Sequence, residues 1–362
     1  MLPLDRQCAD SIDGVSRALA EWTVSLLYER HPEFERRYGA DGRLLWRGEI
    51  ANRIQHLAEA IATARPALFE HSVEWARAAF VARDMDPADL VLGLQALEET
   101  LRAELPGQIA TRAAGLVTGA IARLERAPKT KAGDGGLSTS HLKHEGVDTA
   151  RAGLYLKHLL DRHQAHAVEV LLEAARAGRT VPQIYETVIG PALAEVGRMW
   201  HMREVRVADE HYVTAATQSA MAVLRMRLPR TETNGLRVLA TSVGGELHDL
   251  GIRMVADLLE SEGWSVDCLG ANMPTADLVE SLRGDDGEIQ YHLVALSAST
   301  SLSMRAIADA VAAIREATGG EVPVMVGGAP FSLVPDLWKV VGADGCATCA
   351  TDAVRVAAEL AR

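Results

Sequence analysis

From Leu236 onward the chain carries four short apolar runs: LRVLATSV (Leu236 to Val243), WSVDCLG, YHLVALSAS and VPVMVGG. Each is followed by Gly, Ser or Pro and then by a helical stretch. That spacing is the signature of βα units, which build a parallel sheet covered by helices. It predicts a doubly wound α/β (Rossmann-like) domain over residues 231–362. Ligands of such domains bind beyond the carboxyl ends of the strands, which locates a site before any motif is considered.

Upstream the pattern is helical. Apolar residues recur at three- and four-residue steps in VSRALAEWTVSLLYERH, EIANRIQHLAEAIATA, LFEHSVEWARAAFVARD and ADLVLGLQALEETLRAEL, which predicts an all-α N-terminal domain over 1–126. Pro87 after Asp86 reads as a helix start. The stretch from Ala127 to Gly146 is rich in Gly, Ser, Thr and Lys and reads as a linker. Over 147–230 helical periodicity returns in four stretches, joined through GRTVPQIY and MREVRV. A four-helix bundle is the expectation there, giving a multi-domain chain.

The 362 residues exceed one average domain. No apolar run reaches the roughly 20 residues that cross a bilayer, and the start, MLPLDRQCADSIDG, has neither the basic nor the apolar part of a secretory signal. A cytoplasmic location with no membrane partner is expected. The net charge of −12, with no Lys/Arg-rich recognition helix, speaks against DNA binding by this chain. Four scattered cysteines fit reduced thiols, and Cys346 and Cys349 read as packing residues.

The loop after the first strand, GGELHDLGIRMVADLL, places Glu246 two residues before His248. A carboxylate behind an imidazole is how metal-ligating histidines are oriented and made more basic. Glu246-Leu-His248-Asp249-Leu-Gly251 resembles the Asp-x-His-x-x-Gly signature of cobalamin-binding domains, with Glu for Asp. LSAST (Leu296 to Thr300), VGGAP (Val326 to Pro330) and GADGCATCATDAV resemble the later elements of that family, although Ser299 stands where the family has Leu. The resemblance implies His248 as lower cobalt ligand. It further implies a slot for the cofactor's nucleotide tail beside Ser297, Ser299, Gly327 and Gly328, with the helical bundle as a cap over the corrin.

The stretch MWHMREVRVADEH sets Trp200 and His201 nine residues before Glu210 and His211. On one straight helix ten residues turn through about 1000°, which separates the two pairs. A helix end, a bend and a helix start bring them to one pocket. This motif resembles that of cobalamin-dependent light sensors, the group of the light-released repressors of carotenoid synthesis. By resemblance, Trp200, Val207 and Glu210 would surround the adenosyl group of adenosylcobalamin, with His211 beside them. His201 would take the upper position on cobalt after photolysis, and a light-dependent homo-oligomer would follow. Such a photoreceptor would not be an enzyme. The competing expectation is a corrinoid methyl-carrier protein of a methyltransferase system, an enzyme component that passes methyl groups to partner proteins.

The N-terminal helices lack the basic DNA reader of the light-released repressors. A helical domain joined to such a unit resembles the photocobilins, which add biliverdin as a second chromophore. Candidate contacts are Trp22, Trp46, Arg53, His71, Trp75 and Arg77, and His56 or His71 could ligate heme instead.

Overall fold

The computed structural model describes residues 1–126, 140–142, 145–229 and 231–361. Most of the expected linker, 127–146, lies outside the described residues. These residues form two compact units: one holds 1–126 with Leu333–Val341, the other 140–332 and 342–361.

The first unit is all-α, as expected. Its helices are α1 (Pro3–Gly14), α2 (Ser16–Arg30), α3 (Glu33–Tyr38), α4 (Gly42–Thr63), α5 (Pro66–Ala82), α6 (Pro87–Glu104) and α7 (Gly107–Arg126). Pro3, Pro66 and Pro87 each open a helix, where a missing N–H costs nothing. The Asp86 side chain caps α6 by accepting from the Ala88 N–H at 2.9 Å. Trp46 is fully buried against Phe34, Tyr38 and Phe80. Gly93 is required beside it, because a Cβ there would sit 2.5 Å from the indole.

The packing places the candidate chromophore contacts in different surroundings. Trp46 is core, Trp22 is exposed and Arg53 is buried, with a guanidinium N–H donated to the Ser72 carbonyl. Trp75 donates its indole N–H to His71 Nε2 at 2.8 Å.

In the second unit the bundle consists of α8 (Val147–Leu160), α9 (Gln164–Arg176), a broken third helix and α12 (Val207–Arg225). The third helix runs through α10 (Val181–Ile184), a π-helical turn (Tyr185–Ile189) and α11 (Gly190–His201). Pro191 accounts for the π turn: it has no N–H for the carbonyl four residues back, and its ring would clash there, so the chain widens by one residue.

The sheet is fully parallel in the order β2-β1-β3-β4-β5. Its strands are β1 (Arg237–Val243), β2 (Ser265–Met273), β3 (Leu293–Ser297), β4 (Val324–Gly327) and β5 (Gly345–Ala347). The accompanying helices are α13 (Leu250–Ser261), α14 (Thr275–Glu280), α15 (Met304–Ala317), α16 (Ala329–Leu333) and α18 (Ala350–Leu360), while α17 (Leu337–Val341) groups with the first unit. Strand order reverses between β1 and β3, and the loops leaving those two strands therefore diverge to open a crevice.

Bundle and sheet are not separate bodies. Leu250, Met254 and Leu258 of α13 are buried within the bundle's own apolar core, and Tyr185 donates its hydroxyl to Asp257 Oδ2 of α13 at 2.7 Å. Among the described residues no helix is long and apolar enough to cross a membrane.

Candidate functional site

The loop between β1 and α13 opens at the switch point. Gly245, with φ 84°, turns the chain. Its N–H donates to Asn272 Oδ1 at 2.7 Å, and the Asn272 N–H donates to the Glu246 carbonyl at 2.9 Å. Asn272 itself adopts a left-handed φ of 58°, a conformation its side chain tolerates better than most. The loop is thus pinned to the end of β2.

Glu246 is only 2% exposed, yet its carboxylate is fully engaged. Oε1 accepts from the backbone N–H of His248 at 3.1 Å and lies 2.5 Å from His248 Nδ1. Oε2 accepts from the backbone N–H groups of Ser299 and Thr300 at 2.8 and 3.2 Å and from the Ser303 hydroxyl at 3.3 Å. Burial works against ionisation, but the bonds from His248 and Ser299 outweigh it and hold the carboxyl down at about 2. The paired carboxylate raises the proton affinity of His248, against the effect of burial, and the charge of Glu210 adds to the same effect. The His248 side chain is 62% exposed, and with Nδ1 committed to Glu246 its Nε2 remains for a ligand.

A cavity of about 380 Å³ lies beside the sheet, lined by Gly251, Ser297, Gly327 and Gly328 together with Tyr185 and Glu186 of the π turn. Gly328 (φ 114°) admits no side chain, because a Cβ there would meet the Ala298 carbonyl oxygen at 1.9 Å, and a Cβ on Gly327 would be tight, 3.0 Å from the Ala347 carbonyl oxygen. Ser299 differs from expectation. It lies outside the lining, and its backbone N–H supports Glu246 instead. Asp249 precedes α13 and accepts from Arg253 Nε at 2.7 Å.

In the bundle, α11 ends at His201 and α12 begins at Val207, so the helix, bend and helix are as expected. Arg203, at φ 59°, makes the bend. Trp200 is 46% exposed and Val207 is also exposed. Glu210 Oε1 accepts from the Thr214 hydroxyl at 2.8 Å, and His211 Nε2 lies 3.6 Å from Glu210 Oε2. Beneath the bend, buried Arg198 donates to Glu195 and Glu204 at 2.6 to 3.2 Å. Glu195 also accepts from the His141 N–H at 2.8 Å.

A histidine backed by a buried carboxylate, a cavity partly lined by glycines and a helical bundle packed on the sheet's first helix fit a cobalamin-binding protein, and comparison supports that class. Residues 236–358 match the B12 binding domain, and residues 154–225 match a second model also described as a B12 binding domain. Dimethylamine corrinoid protein 2 of Methanosarcina acetivorans is 28% identical over 193 residues, 52% of this chain and 86% of that protein. Trimethylamine corrinoid protein 1 of Methanosarcina mazei is 28% identical over 193 residues, again 52% and 86%. The solved monomethylamine corrinoid protein of Methanosarcina barkeri superposes with a TM-score of 0.50 at 25% identity, covering 57% of this chain and 96% of that one.

These similarities overturn the light-sensor expectation: the relatives named are methylamine corrinoid proteins. With it goes the reason for assigning His201 to replace a photolysed adenosyl group, and for a photocobilin's biliverdin. The shared feature is a cobalamin fold, which the Trp200 to His211 spacing decorates without fixing its chemistry.

Several positioning residues were not evident from the sequence. Arg198, Glu195 and Glu204 hold the bend, Asn272 and Ser303 hold the β1 loop, and Glu186 reaches the Thr351 N–H at 3.0 Å beside the cavity. Arg198 and Glu204 lie close in sequence, yet nothing in their spacing marks them as a pair. The others arrive from separate elements.

Proposed function

We propose that the chain is a corrinoid methyl carrier: it binds a corrinoid through His248 and passes methyl groups between partner methyltransferases without being a catalyst by itself. The observation that carries this is the Glu246–His248 pair at the switch point, next to a cavity of about 380 Å³ with room for a displaced nucleotide tail. The names of the methylamine corrinoid relatives point the same way.

The donor set fits the group. His248 offers a neutral Nε2 when its Nδ1 proton is held by Glu246, and neutral imidazole is a competent ligand for cobalt. When bound, the corrinoid supplies a metal that accepts a methyl group without its bonding electron pair and returns it to a nucleophile in the same form. The chain's own residues do the rest. Glu246 keeps a proton at Nδ1 and fixes the ring. Gly327 and Gly328 line the cavity without adding side chains of their own. The exposed faces of Trp200 and Val207 leave the other side accessible, as a carrier that must meet a methyl donor and a methyl acceptor requires.

The test is complementation in vitro. An extract from cells deleted for this chain is supplied with methylamines and a thiol, and thiol methylation is followed. Addition of the protein loaded with hydroxocobalamin and reduced should restore methyl transfer, and free hydroxocobalamin should not. Failure of the loaded protein to restore transfer from mono-, di- or trimethylamine rules out methylamines as the methyl source. If transfer from methanol or an aryl methyl ether is restored instead, carriage stands and only the donor changes.

A further inference from the structure

We propose that His158, His163 and His166 together hold one divalent transition-metal cation at the corner between α8 and α9, a site separate from the corrinoid. The three lie in the run HLLDRHQAH. Each offers a ring nitrogen, and these nitrogens all fall within 4.8 Å of one another. The corner is built to do this: Arg162, at φ 63°, reverses the chain, and the His163 N–H donates to the His158 carbonyl at 2.8 Å. His158 and His166 stack with centroids 5.4 Å apart, while His163 lies 5.6 Å from His166.

A second observation points to a ligand. His158 Nδ1 is buried and has no hydrogen-bond partner among the described residues, a condition that costs free energy unless something fills it. Three imidazoles favour zinc, copper or nickel over magnesium or calcium, which prefer oxygen. Tetrahedral zinc with bonds of 2.0–2.1 Å needs nitrogens about 3.4 Å apart. His163 and His166 are exposed and can close that gap by small ring rotations. A fourth position would be left for water.

The corner is tied to the start of α12. Arg162 donates to Asp209 Oδ1 at 2.6 Å and covers the Tyr212 ring at 4.2 Å. Asp209 and Tyr212 flank Glu210 and His211. A cation at the corner therefore stiffens the part of the cap that carries Glu210.

The untagged full-length chain, loaded with hydroxocobalamin, is titrated with zinc against a chromogenic chelator. Wild type should withdraw one equivalent, with affinity falling by roughly tenfold or more in the His163→Ala/His166→Ala double variant, since two of three ligands are gone. Both residues are exposed, so the variant keeps its fold, and circular dichroism checks this. Zinc should raise the thermal midpoint of wild type only. Equal uptake by wild type and variant, or uptake by neither, overturns the site.

Discussion

Glu246 Oε1 meets His248 twice, accepting from its backbone N–H at 3.1 Å and lying 2.5 Å from its Nδ1. One oxygen thus fixes both the main chain and the ring of the residue that faces the ligand. The other oxygen is anchored across the switch point by Ser299, Thr300 and Ser303.

Glu246→Gln keeps the size of the side chain and removes its charge. A supporting carboxylate is worth about 10–100-fold in metal affinity, so cobalamin binding should weaken by that order. Equilibrium dialysis with hydroxocobalamin reads the change, and an unaltered affinity would show that the carboxylate does not tune the ring.

Gly328→Ala puts a Cβ 1.9 Å from the Ala298 carbonyl oxygen at a φ of 114°. Strain of this kind costs about 1–3 kcal/mol before any clash is counted. The urea midpoint of the apoprotein should fall measurably, whereas Gly251→Ala, which meets nothing within 4 Å, should leave it nearly unchanged.

Arg198→Met would strand the Glu195 carboxylate, which is buried and held ionised, against its burial, by the Arg198 guanidinium and the His141 N–H. Breaking a buried pair from one side costs about 3–5 kcal/mol. Chemical denaturation should show that loss, and replacing both residues with apolar ones should recover much of it.

Burial, with the charges of Arg53 and His71 nearby, pushes the proton affinity of His56 down to about 3. Between that value and the ordinary value near 6.5 the unfolded chain binds a proton that the native chain refuses, so stability falls as pH falls through this window. The slope from this group approaches about 1.4 kcal/mol per pH unit. Urea unfolding from pH 7 to pH 4 measures it, and His56→Gln should flatten the profile. An unchanged slope in that variant would remove His56 as the cause.

The fold was legible where the pattern was local. The βα repeat placed four strands, and Pro87 after Asp86 marked a helix start. The packing of α13 into the bundle core was not legible, because Leu250, Met254 and Leu258 look like any apolar helix face until their partners are known. At the site, Glu246 and His248 stood two residues apart and could be paired by chemistry. Ser303 and Asn272 come from other loops, and no spacing announces them. The stretch from Trp200 to His211 correctly gave a bend, since a straight helix cannot present both ends to one side. That geometry is held by Arg198, Glu195 and Glu204 and says nothing about light, which is why reading a photochemical role from it went wrong.

Single-turnover methyl release tests the central claim most directly. The protein is loaded with methylcobalamin and mixed with a thiol and extract from cells that make the chain, and loss of the methyl-cobalt absorbance is timed. Bound cofactor should lose its methyl group to the thiol roughly tenfold or more faster than the same concentration of free methylcobalamin, an advantage of about 1.4 kcal/mol in barrier, and His248→Ala should abolish that advantage. Release from the wild-type protein no faster than from free methylcobalamin would contradict methyl carriage by this chain.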